Sequence, residues 1–462
     1  MNILWLTLDH LTFRHYRLNK GAKPILPTHE RLGRQGITFN NCKSTHPLCM
    51  PARASMLSGV YTHKHKVYRN GPTVKSEVYG PAVSTLKDAG YKLGYFGKNH
   101  SGMDLASAGF EGYFPPSYGN PYLTQEYRDY LNRKNMPDPI FHAEWSHGKN
   151  FEAGKEYNLT QTDCFNHAVC GYFTTPEPFH EIDFLLDMAH GWLGQNAQNP
   201  FVLRVDAWGP HQAYQIPLGF KDTIINEADI EPYPGFNEDS LTYKPQFTNR
   251  YLERMRERGG VIKNWEYWQP VLKRAYENYS YIDMRIGSLL DALDRLGLAE
   301  NTAILLTADH GDAIASHGGM FDKCGDMAEE VMDIPMLLSA PGLPHGVINN
   351  SLTSNLDAMP TVLDLAGVAE PHAMDGISLK QVALGSGKRE SLLCEHYGHL
   401  DNYYNQRAVY KGDWKYVETE NEVDQLYNLR TDPYELQNFA YENPTVLAEM
   451  KNTLTNMKGD TK

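Results

Sequence analysis

Short apolar runs alternate with helical hydrophobic patterns along the chain. Three of the runs are Ile3–Leu8, Phe201–Val205 and Ala303–Thr307, and each ends in polar residues and leads to a helical pattern. Between residues 286 and 296 apolar side chains recur on one helical face, and Gly297 interrupts that spacing. Alternating strands and helices are typical of an α/β fold. We therefore predict a large, mainly parallel sheet flanked by helices.

The pattern changes in the middle of the chain and again near its end. Residues 105–200 are rich in Tyr, Phe, Asn, His and Gly with weak periodicity, which predicts long loops over a pocket. Later, short strand-like segments such as 413–417 precede a terminal helix. We predict a larger α/β domain over residues 1–370, and over residues 371–462 a smaller α+β domain with a small antiparallel sheet and a helix.

Composition and charge exclude several kinds of partner. The formal net charge of the 462 residues is −13, which argues against a nucleic-acid-binding surface and against electrostatic attraction to anionic lipids. The sequence has no apolar run of membrane-spanning length. Because a buried strand is predicted where a signal peptide would lie, we expect a cytoplasmic protein, or a periplasmic one if a leader has been removed.

The six cysteines are scattered and form no Cys-x-x-Cys pair. Their spacing matches neither a disulfide framework nor a zinc ribbon. Cys164 and Cys170 would be able to form a bridge in an oxidising compartment, but we expect them to be ordinary thiols. The cysteines are Cys42, Cys49, Cys164, Cys170, Cys324 and Cys394.

The segment Cys-Met-Pro-Ala-Arg at residues 49–53 is the most informative stretch of the chain. The proline and the spacing place Cys49 and Arg53 on one face of the first turn of a helix. The free N–H groups and the dipole of a helix N-terminus attract anions, and a guanidinium binds oxyanions through a planar pair of donors. A cysteine in this setting is compatible with a phosphatase-like thiolate and also with a buried structural cysteine.

Two Asp-His pairs follow predicted strands. Asp9 and His10 come after the first strand, and Asp309 and His310 come after the strand at 303–307. In open α/β sheets ligands bind beyond the carboxyl ends of the strands. Each pair alone is compatible with a helix cap or a solvated loop, but together with the Cys49 motif the two pairs predict a divalent-metal site.

Motifs in five segments together carry a family resemblance. Residues 49–59 read Cys-Met-Pro-Ala-Arg-Ala-Ser-Met-Leu-Ser-Gly, and residues 307–342 contain Asp-His-Gly-Asp, Ser-His-Gly and Ala-Pro-Gly. Residues 97–100 read Gly-Lys-Asn-His, residues 207–211 read Ala-Trp-Gly-Pro-His, and residues 426–438 begin with Leu-Tyr-Asn-Leu. This set resembles the sulfatase family within the alkaline-phosphatase superfamily, and the likeness spans nearly the whole chain.

The resemblance implies a role for each motif residue. In sulfatases a maturation enzyme oxidises the motif cysteine to formylglycine, and the hydrated aldehyde is the nucleophile; here that cysteine is Cys49. One divalent metal ion, Ca²⁺, Mn²⁺ or Zn²⁺, would be held by Asp9, Cys49, Asp309 and His310. The residues expected around the transferred group are Arg53, Lys98, His100, His211 and Lys323, with Asn70 as a contact to the bound oxyanion.

His10 is a departure from the family pattern. Many sulfatases have two aspartates after the first strand, both of which bind calcium, whereas this chain has Asp9-His10. Loss of a hard carboxylate shifts metal preference from Ca²⁺ toward Mn²⁺, Zn²⁺ or Fe²⁺. His10 would either ligate the metal or hydrogen-bond the substrate, and we favour a substrate contact. Family members with a neutral residue at this position include phosphonate monoester hydrolases.

The sequence therefore predicts a formylglycine-dependent sulfuric ester hydrolase. Its expected partners are a small-molecule or saccharide sulfate ester and the maturation enzyme, and oligomerisation stays open. A phosphonate monoester or phosphodiester hydrolase with the same nucleophile is the first alternative, because these substrates carry one negative charge on the transferred group, as sulfate monoesters do. An inactive homologue that only binds its ligand is the second alternative.

Overall fold

The computed structural model describes residues 1–11, 13–18, 21–71, 80–147, 150–165, 167–236, 264–320, 322–323, 327–398 and 404–458. The strands are β1 (Asn2–Leu8), β2 (Ile37–Phe39), β3 (Cys42–Lys43), β4 (Lys92–Gly97), β5 (Glu111–Tyr113), β6 (Ile140–Ser146), β7 (Glu156–Asn158), β8 (Val169–Phe173), β9 (Phe201–Asp206), β10 (Tyr214–Ile216), β11 (Thr302–Ala308), β12 (Met336–Ser339), β13 (Val347–Asn349), β14 (Thr353–Ser354), β15 (Ser391–His396), β16 (Gln406–Lys411), β17 (Trp414–Thr419) and β18 (Gln425–Asn428).

The α-helices are α1 (Phe13–Leu18), α2 (Pro27–Gln35), α3 (Cys49–Ser58), α4 (Thr62–His65), α5 (Gly80–Asp88), α6 (Gln125–Lys134), α7 (Glu181–Asn196), α8 (Trp265–Arg295), α9 (Glu329–Met332), α10 (Ala358–Ala366), α11 (Leu379–Ala383) and α12 (Pro444–Met457). Short 3₁₀ helices lie at Pro121–Leu123, Leu218–Phe220, Glu227–Asp229, Ala299–Asn301 and Asn355–Asp357.

The principal sheet has the strand order β13-β2-β12-β11-β1-β9-β4-β5. Its centre is parallel, because β1 pairs in parallel with β11 and β9, and β9 with β4. The one strand that runs against its neighbours is β12, which pairs antiparallel with β11 and β2. The prediction of a mainly parallel α/β sheet is confirmed, and all three predicted strands are present, as β1, β9 and β11.

Helix α8 is the longest described helix and ends where the sequence predicted. The Asn264 side chain caps its start by accepting a hydrogen bond from the Glu266 N–H at 3.0 Å. Its last helical residue is Arg295, and Gly297 then adopts φ +68°, a left-handed conformation that glycine reaches at little cost. The apolar face of α8 packs on the main core through Ile286, Leu289, Leu290 and Leu293. No helix within the described ranges is long and apolar enough to cross a membrane.

The middle of the chain differs from its prediction of long loops. Residues 105–200 contain the helices α6 and α7 and three strands of a second, four-stranded sheet in the order β10-β8-β6-β7. Helix α7 is buried over much of its circumference, and β8 is buried on both faces. Elements covered in this way lack a clear polar face, so amphipathic periodicity did not show them. Several residues between positions 102 and 117, among them Met103, Leu105 and Phe114, line a cavity.

The end of the chain forms a four-stranded antiparallel sheet, in the order β15-β16-β17-β18, and helix α12 contacts it. This agrees with the predicted antiparallel sheet and terminal helix. Leu379 and Val382 of α11 belong to the main hydrophobic core. The boundary between residues 370 and 371 stays a prediction. The described cysteines Cys42, Cys49, Cys164, Cys170 and Cys394 are free thiols, as expected, and Cys324 lies outside the described residues.

Candidate active site

Neighbouring parallel strands deliver the acidic residues of the site to one edge of the sheet. Leu8 at the end of β1 lies opposite Ala308 at the end of β11, so Asp9 and Asp309 follow at the same level. Strand β9, on the other side of β1, ends with Asp206. Because carboxyl ends of parallel strands meet at one edge, three carboxylates become neighbours there, and all three are fully buried.

Helix α3 presents Cys49 to this edge. Cys49 is its first residue, the preceding Leu48 is extended, and Gly59 ends the helix with φ +69°. Arg53 lies one turn after Cys49, and both side chains are buried, as the motif predicted. The Asn70 side chain accepts a hydrogen bond from the Met50 N–H at 3.0 Å. In this structure Asn70 therefore stabilises the first turn of α3.

Four of the buried side chains converge as a candidate metal centre. One ligand atom each from Asp9, Cys49, Asp309 and His310 lies within 4.8 Å of every other. The Nδ1 of His310 donates to the Gly311 carbonyl oxygen at 2.8 Å, which leaves Nε2 free as a ligand, 3.1 Å from the Cys49 sulfur.

The donor set fits a divalent cation. Asp9 Oδ1 is buried and has no hydrogen-bond partner among the described residues, so a cation would satisfy it. Carboxylate oxygens and one imidazole suit Mn²⁺, Zn²⁺ or Fe²⁺ as well as Ca²⁺. These are the four residues that the sequence assigned to the metal.

Arg53 is held by carboxylates at the edge of the sheet. Its Nε donates to Asp309 Oδ2 at 2.7 Å, and one terminal nitrogen donates to Asp206 Oδ2 at 2.8 Å and to the Lys98 carbonyl oxygen at 2.7 Å. Asp206 in turn accepts two hydrogen bonds from Arg204. Arg53 was predicted to surround the transferred group. In this structure its contacts orient Asp309, and the other terminal nitrogen lies 3.9 Å from Asp9.

Lys98 and His100 approach the site from the end of β4. The Lys98 ammonium forms an ion pair with Asp9 and lies 4.1 Å from the centre of the Tyr118 ring. His100 hydrogen-bonds to the Cys49 thiol. The two side chains face the same site, as predicted, although His100 has φ +34° and is not in extended backbone.

Lys323, His211 and His10 form a second group of side chains at the site. The Lys323 ammonium lies 2.5 Å from Asp322 Oδ1, and His10 Nε2 lies 3.3 Å from the same oxygen. The His10 ring centre is 4.5 Å from that of His211 and 5.0 Å from that of His310. His10 therefore lies beside the candidate metal centre, and its ring is not one of the four converging groups.

Positive charge dominates the surroundings of Cys49. Burial alone would raise the pKa of the Cys49 thiol, but Lys98, His310 and Lys323 hold that pKa well below its ordinary value. Burial, reinforced by Lys323 and Lys98, lowers the pKa of His211 to about 3, so its imidazole is neutral at neutral pH. Several fixed cations around one buried point are what an oxyanion requires in a transfer reaction.

Several residues of the site were not predicted from the sequence. Asp206 was missed although it follows a predicted strand, and the strand-end rule that found Asp9 would have found it. Tyr118, Asp312 and Asp322 were also missed. Tyr118 lies in the segment without readable motifs, and its buried hydroxyl has no hydrogen-bond partner in the part of the chain that the structure describes.

The buried carboxyl group of Glu181 gives a prediction about pH. Glu181 accepts a hydrogen bond from the Gly209 N–H at 2.9 Å, two residues before His211. Burial raises the pKa of Glu181 to about 8, against about 4.3 in an unfolded chain. Between these values the folded state binds the proton more tightly, so stability is greatest below about pH 4.3 and is lost as the pH rises toward 8.

We expect Glu181→Gln to remove this loss, because Gln keeps the oxygen that Gly209 needs and does not ionise. The measurement is urea unfolding at about pH 5 and pH 8. Between these pH values the free energy of unfolding should fall by roughly 3–5 kcal/mol more in the wild type than in the variant. Equal losses in the two proteins would show that Glu181 is not the titrating group.

Comparison with known proteins agrees with the fold. The family model Sulfatase matches residues 1–368, and the model N-sulphoglucosamine sulphohydrolase, C-terminal, matches residues 316–460. The choline-sulfatase of Rhizobium meliloti is 27% identical over 463 residues, covering 96% of this chain and 83% of that protein. The N-acetylglucosamine-6-O-sulfatase of Bacteroides thetaiotaomicron is 23% identical, covering 95% of this chain and 82% of that protein.

Among solved structures, the phosphonate monoester hydrolase of Agrobacterium radiobacter superimposes with a TM-score of 0.77 at 20% identity, covering 99% of this chain and 95% of that one. That likeness shows the alkaline-phosphatase-like fold. The fold and the site thus define an enzyme of the alkaline-phosphatase superfamily. The chain belongs to the sulfatase family, whose model covers more than half of it, and it is a sulfuric ester hydrolase.

Proposed function

We propose that this sulfatase cleaves a small-molecule or saccharide sulfate ester with a formylglycine made from Cys49 and with one divalent metal ion. The observation that carries the proposal is the convergence of Cys49 with Asp9, Asp309 and His310 at one buried point. The choline and N-acetylglucosamine sulfatases among its relatives support this substrate class. A maturation enzyme that oxidises Cys49 is the implied partner.

Formylglycine would supply, as a hydrated aldehyde, one hydroxyl for attack on sulfur and a second whose deprotonation expels the sulfate. The metal ion would be held by Asp9, Asp309, His310 and the residue-49 side chain, where it would polarise oxygens of the nucleophile and substrate. Arg53 keeps Asp309 in position through the 2.7 Å contact between Nε and Oδ2.

The remaining roles follow from the charge and the contacts of each residue. Lys98 offsets negative charge that builds up on the sulfate oxygens. His100, which contacts the residue-49 side chain, accepts the proton of the second hydroxyl. Lys323 carries the positive charge that stabilises the leaving alkoxide, and the neutral His211 beside it orients that oxygen.

Turnover of two matched esters tests the function. We expect a larger kcat/KM for 4-nitrophenyl sulfate than for 4-nitrophenyl phenylphosphonate, with sulfate as the measured product. An enzyme that turned over the phosphonate and left the sulfate ester intact would contradict the proposal. It would establish the alternative that the neutral His10 supports, a phosphonate monoester or phosphodiester hydrolase. A fully modified protein that bound both esters and cleaved neither would be an inactive homologue.

His10 gives a prediction about metal preference. We expect metal-stripped enzyme to regain more activity with Mn²⁺ or Zn²⁺ than with Ca²⁺, because the site has one carboxylate fewer than the calcium-binding pattern. In His10→Asp, the activity restored by Ca²⁺ should rise relative to that restored by Mn²⁺ or Zn²⁺. His10→Gln is the matched control, because it removes the imidazole without adding a carboxylate. In this variant Ca²⁺ should still restore little activity. The idea fails if Ca²⁺ restores the most activity in the wild type and His10→Asp changes nothing.

A further inference from the structure

Arg204 lies buried in the middle of the principal sheet. It belongs to β9, and its cross-strand neighbours are Trp5 on β1 and Tyr95 on β4. The Cζ of Arg204 lies 4.0 Å from the centre of the Trp5 ring and 5.1 Å from that of the Tyr95 ring. Aromatic rings stabilise a guanidinium that has left water, so these contacts are compatible with a purely packing role.

The hydrogen bonds of Arg204 indicate a second role. Its Nε donates to Asp206 Oδ1 at 2.8 Å, and its Nη2 donates to Asp206 Oδ2 at 2.7 Å. This two-point contact orients the Asp206 carboxylate, which lies two residues further along the same strand. The Nη1 of Arg204 is buried and has no hydrogen-bond partner among the described residues. Because a buried donor without a partner costs free energy, packing between two rings does not account for this arginine.

Asp206 connects Arg204 to the candidate metal centre. Its Oδ2 also accepts a hydrogen bond from Arg53 Nη1 at 2.8 Å. Arg53 in turn donates through Nε to Asp309 Oδ2 at 2.7 Å. All four of these charged side chains are fully buried, where hydrogen-bonded charges interact more strongly than in water. A continuous series of ion pairs therefore leads from the middle of the sheet to a metal-binding carboxylate.

Both oxygens of the Asp309 carboxylate are held by the protein. Its Oδ1 accepts hydrogen bonds from the N–H groups of His10 and His310 at 3.1 and 2.8 Å, and its Oδ2 accepts the one from Arg53. A ligand that is already oriented loses less conformational freedom when the ion binds. Hydrogen-bond partners of metal ligands typically change metal affinity by about 10–100-fold.

We propose that Arg204 is a positioning residue for the metal ligand Asp309. It acts through the two side chains between them, Asp206 and Arg53. In the wild type the Asp206 carboxylate is shared by two guanidinium groups. Without Arg204 its charge acts on Arg53 alone, so Arg53 is drawn toward Asp206 and its contact with Asp309 weakens. The inference rests on the metal ion of the proposed function and adds a residue that sets its affinity.

Binding of Mn²⁺ to the metal-stripped, formylglycine-containing enzyme tests the inference, with Kd measured by isothermal titration calorimetry. We expect Arg204→Met, which removes the charge, to raise Kd about 10–100-fold. Arg204→Lys keeps the charge without the two-point contact, so its Kd should lie between those of the wild type and Arg204→Met. Arg274→Met is the matched control, because Arg274 is also buried and makes a two-point contact with a carboxylate, that of Glu144, outside the candidate metal centre. We expect the control to keep the wild-type Kd.

Asp206→Asn separates positioning from a general loss of structure. Because Arg204 acts through Asp206, the double variant Arg204→Met/Asp206→Asn should have the same Kd as Asp206→Asn alone. Additive effects in the double variant, a wild-type Kd in Arg204→Met, or an equal rise in Arg274→Met would overturn the inference. If Arg204→Met does not fold, Arg204→Lys decides, and a wild-type Kd in that variant would overturn it as well. A wild-type enzyme that binds neither Mn²⁺, Zn²⁺ nor Ca²⁺ would instead contradict the metal ion of the proposed function.

Discussion

Replacing Cys49 with Ala is expected to abolish turnover and to leave the fold in place. Loss of a nucleophile lowers kcat by roughly 10⁴-fold or more. Cys49 is fully buried on the first turn of α3, and alanine has a high helix propensity and leaves only a small cavity there. The measurement is kcat on 4-nitrophenyl sulfate, with circular dichroism and thermal unfolding to verify the fold.

Cys164→Ala is the matched control for this variant. Cys164 is also a buried free thiol, 1% exposed, and its sulfur contacts Gln215 rather than the candidate metal centre. We expect normal kcat in Cys164→Ala. Turnover by Cys49→Ala at the wild-type rate would remove Cys49 from the mechanism, whatever the control shows.

Substitution of Asp309 is expected to remove the metal ion together with turnover. Asp309 contributes a buried carboxylate to the candidate centre and also receives the Arg53 Nε–H. Asp309→Ala therefore leaves a buried guanidinium with one carboxylate fewer, a change that also costs stability. Asp309→Asn keeps the volume and an oxygen for Arg53 and removes the charge that binds the metal.

Elemental analysis after extensive dialysis provides the readout for Asp309. We expect about one equivalent of metal in the wild type and a large loss in both Asp309 variants. Asp312→Asn is the control, because Asp312 is also buried near His10 but lies outside the four converging groups. We expect it to keep its metal. One equivalent of metal retained in folded Asp309→Asn would rule out this site.

The parts of the site that follow strand ends and the helix N-terminus were predictable from the sequence. Asp9 and Asp309 occupy matching positions after neighbouring parallel strands, and this arrangement follows from the apolar runs and the topology of α/β sheets. The Cys-x-Pro-x-Arg spacing likewise determines that Cys49 and Arg53 share a helix turn. The family resemblance then identified the remaining cations.

Contacts that depend on tertiary packing were not predictable. The sequence does not show that the Arg53 guanidinium hydrogen-bonds to Asp309 and Asp206, because the three residues lie far apart along the chain. The contact between Tyr118 and Lys98 was also not predictable. Tyr118 lies in a segment whose helices and strands are buried on more than one face, so its hydrophobic pattern shows neither a helical nor a strand periodicity. His10 adopts φ +60°, a left-handed conformation that no sequence pattern indicated.

The central claim is that residue 49 acts as formylglycine, and peptide mass spectrometry tests it most directly. The enzyme is prepared with and without a co-expressed maturation enzyme, and the modified fraction of the peptide containing Cys49 is compared with kcat on 4-nitrophenyl sulfate for each preparation. We predict that kcat rises in proportion to the formylglycine fraction and vanishes when that fraction is zero. A preparation that contains only unmodified cysteine at position 49 and turns over at the full rate would contradict the mechanism.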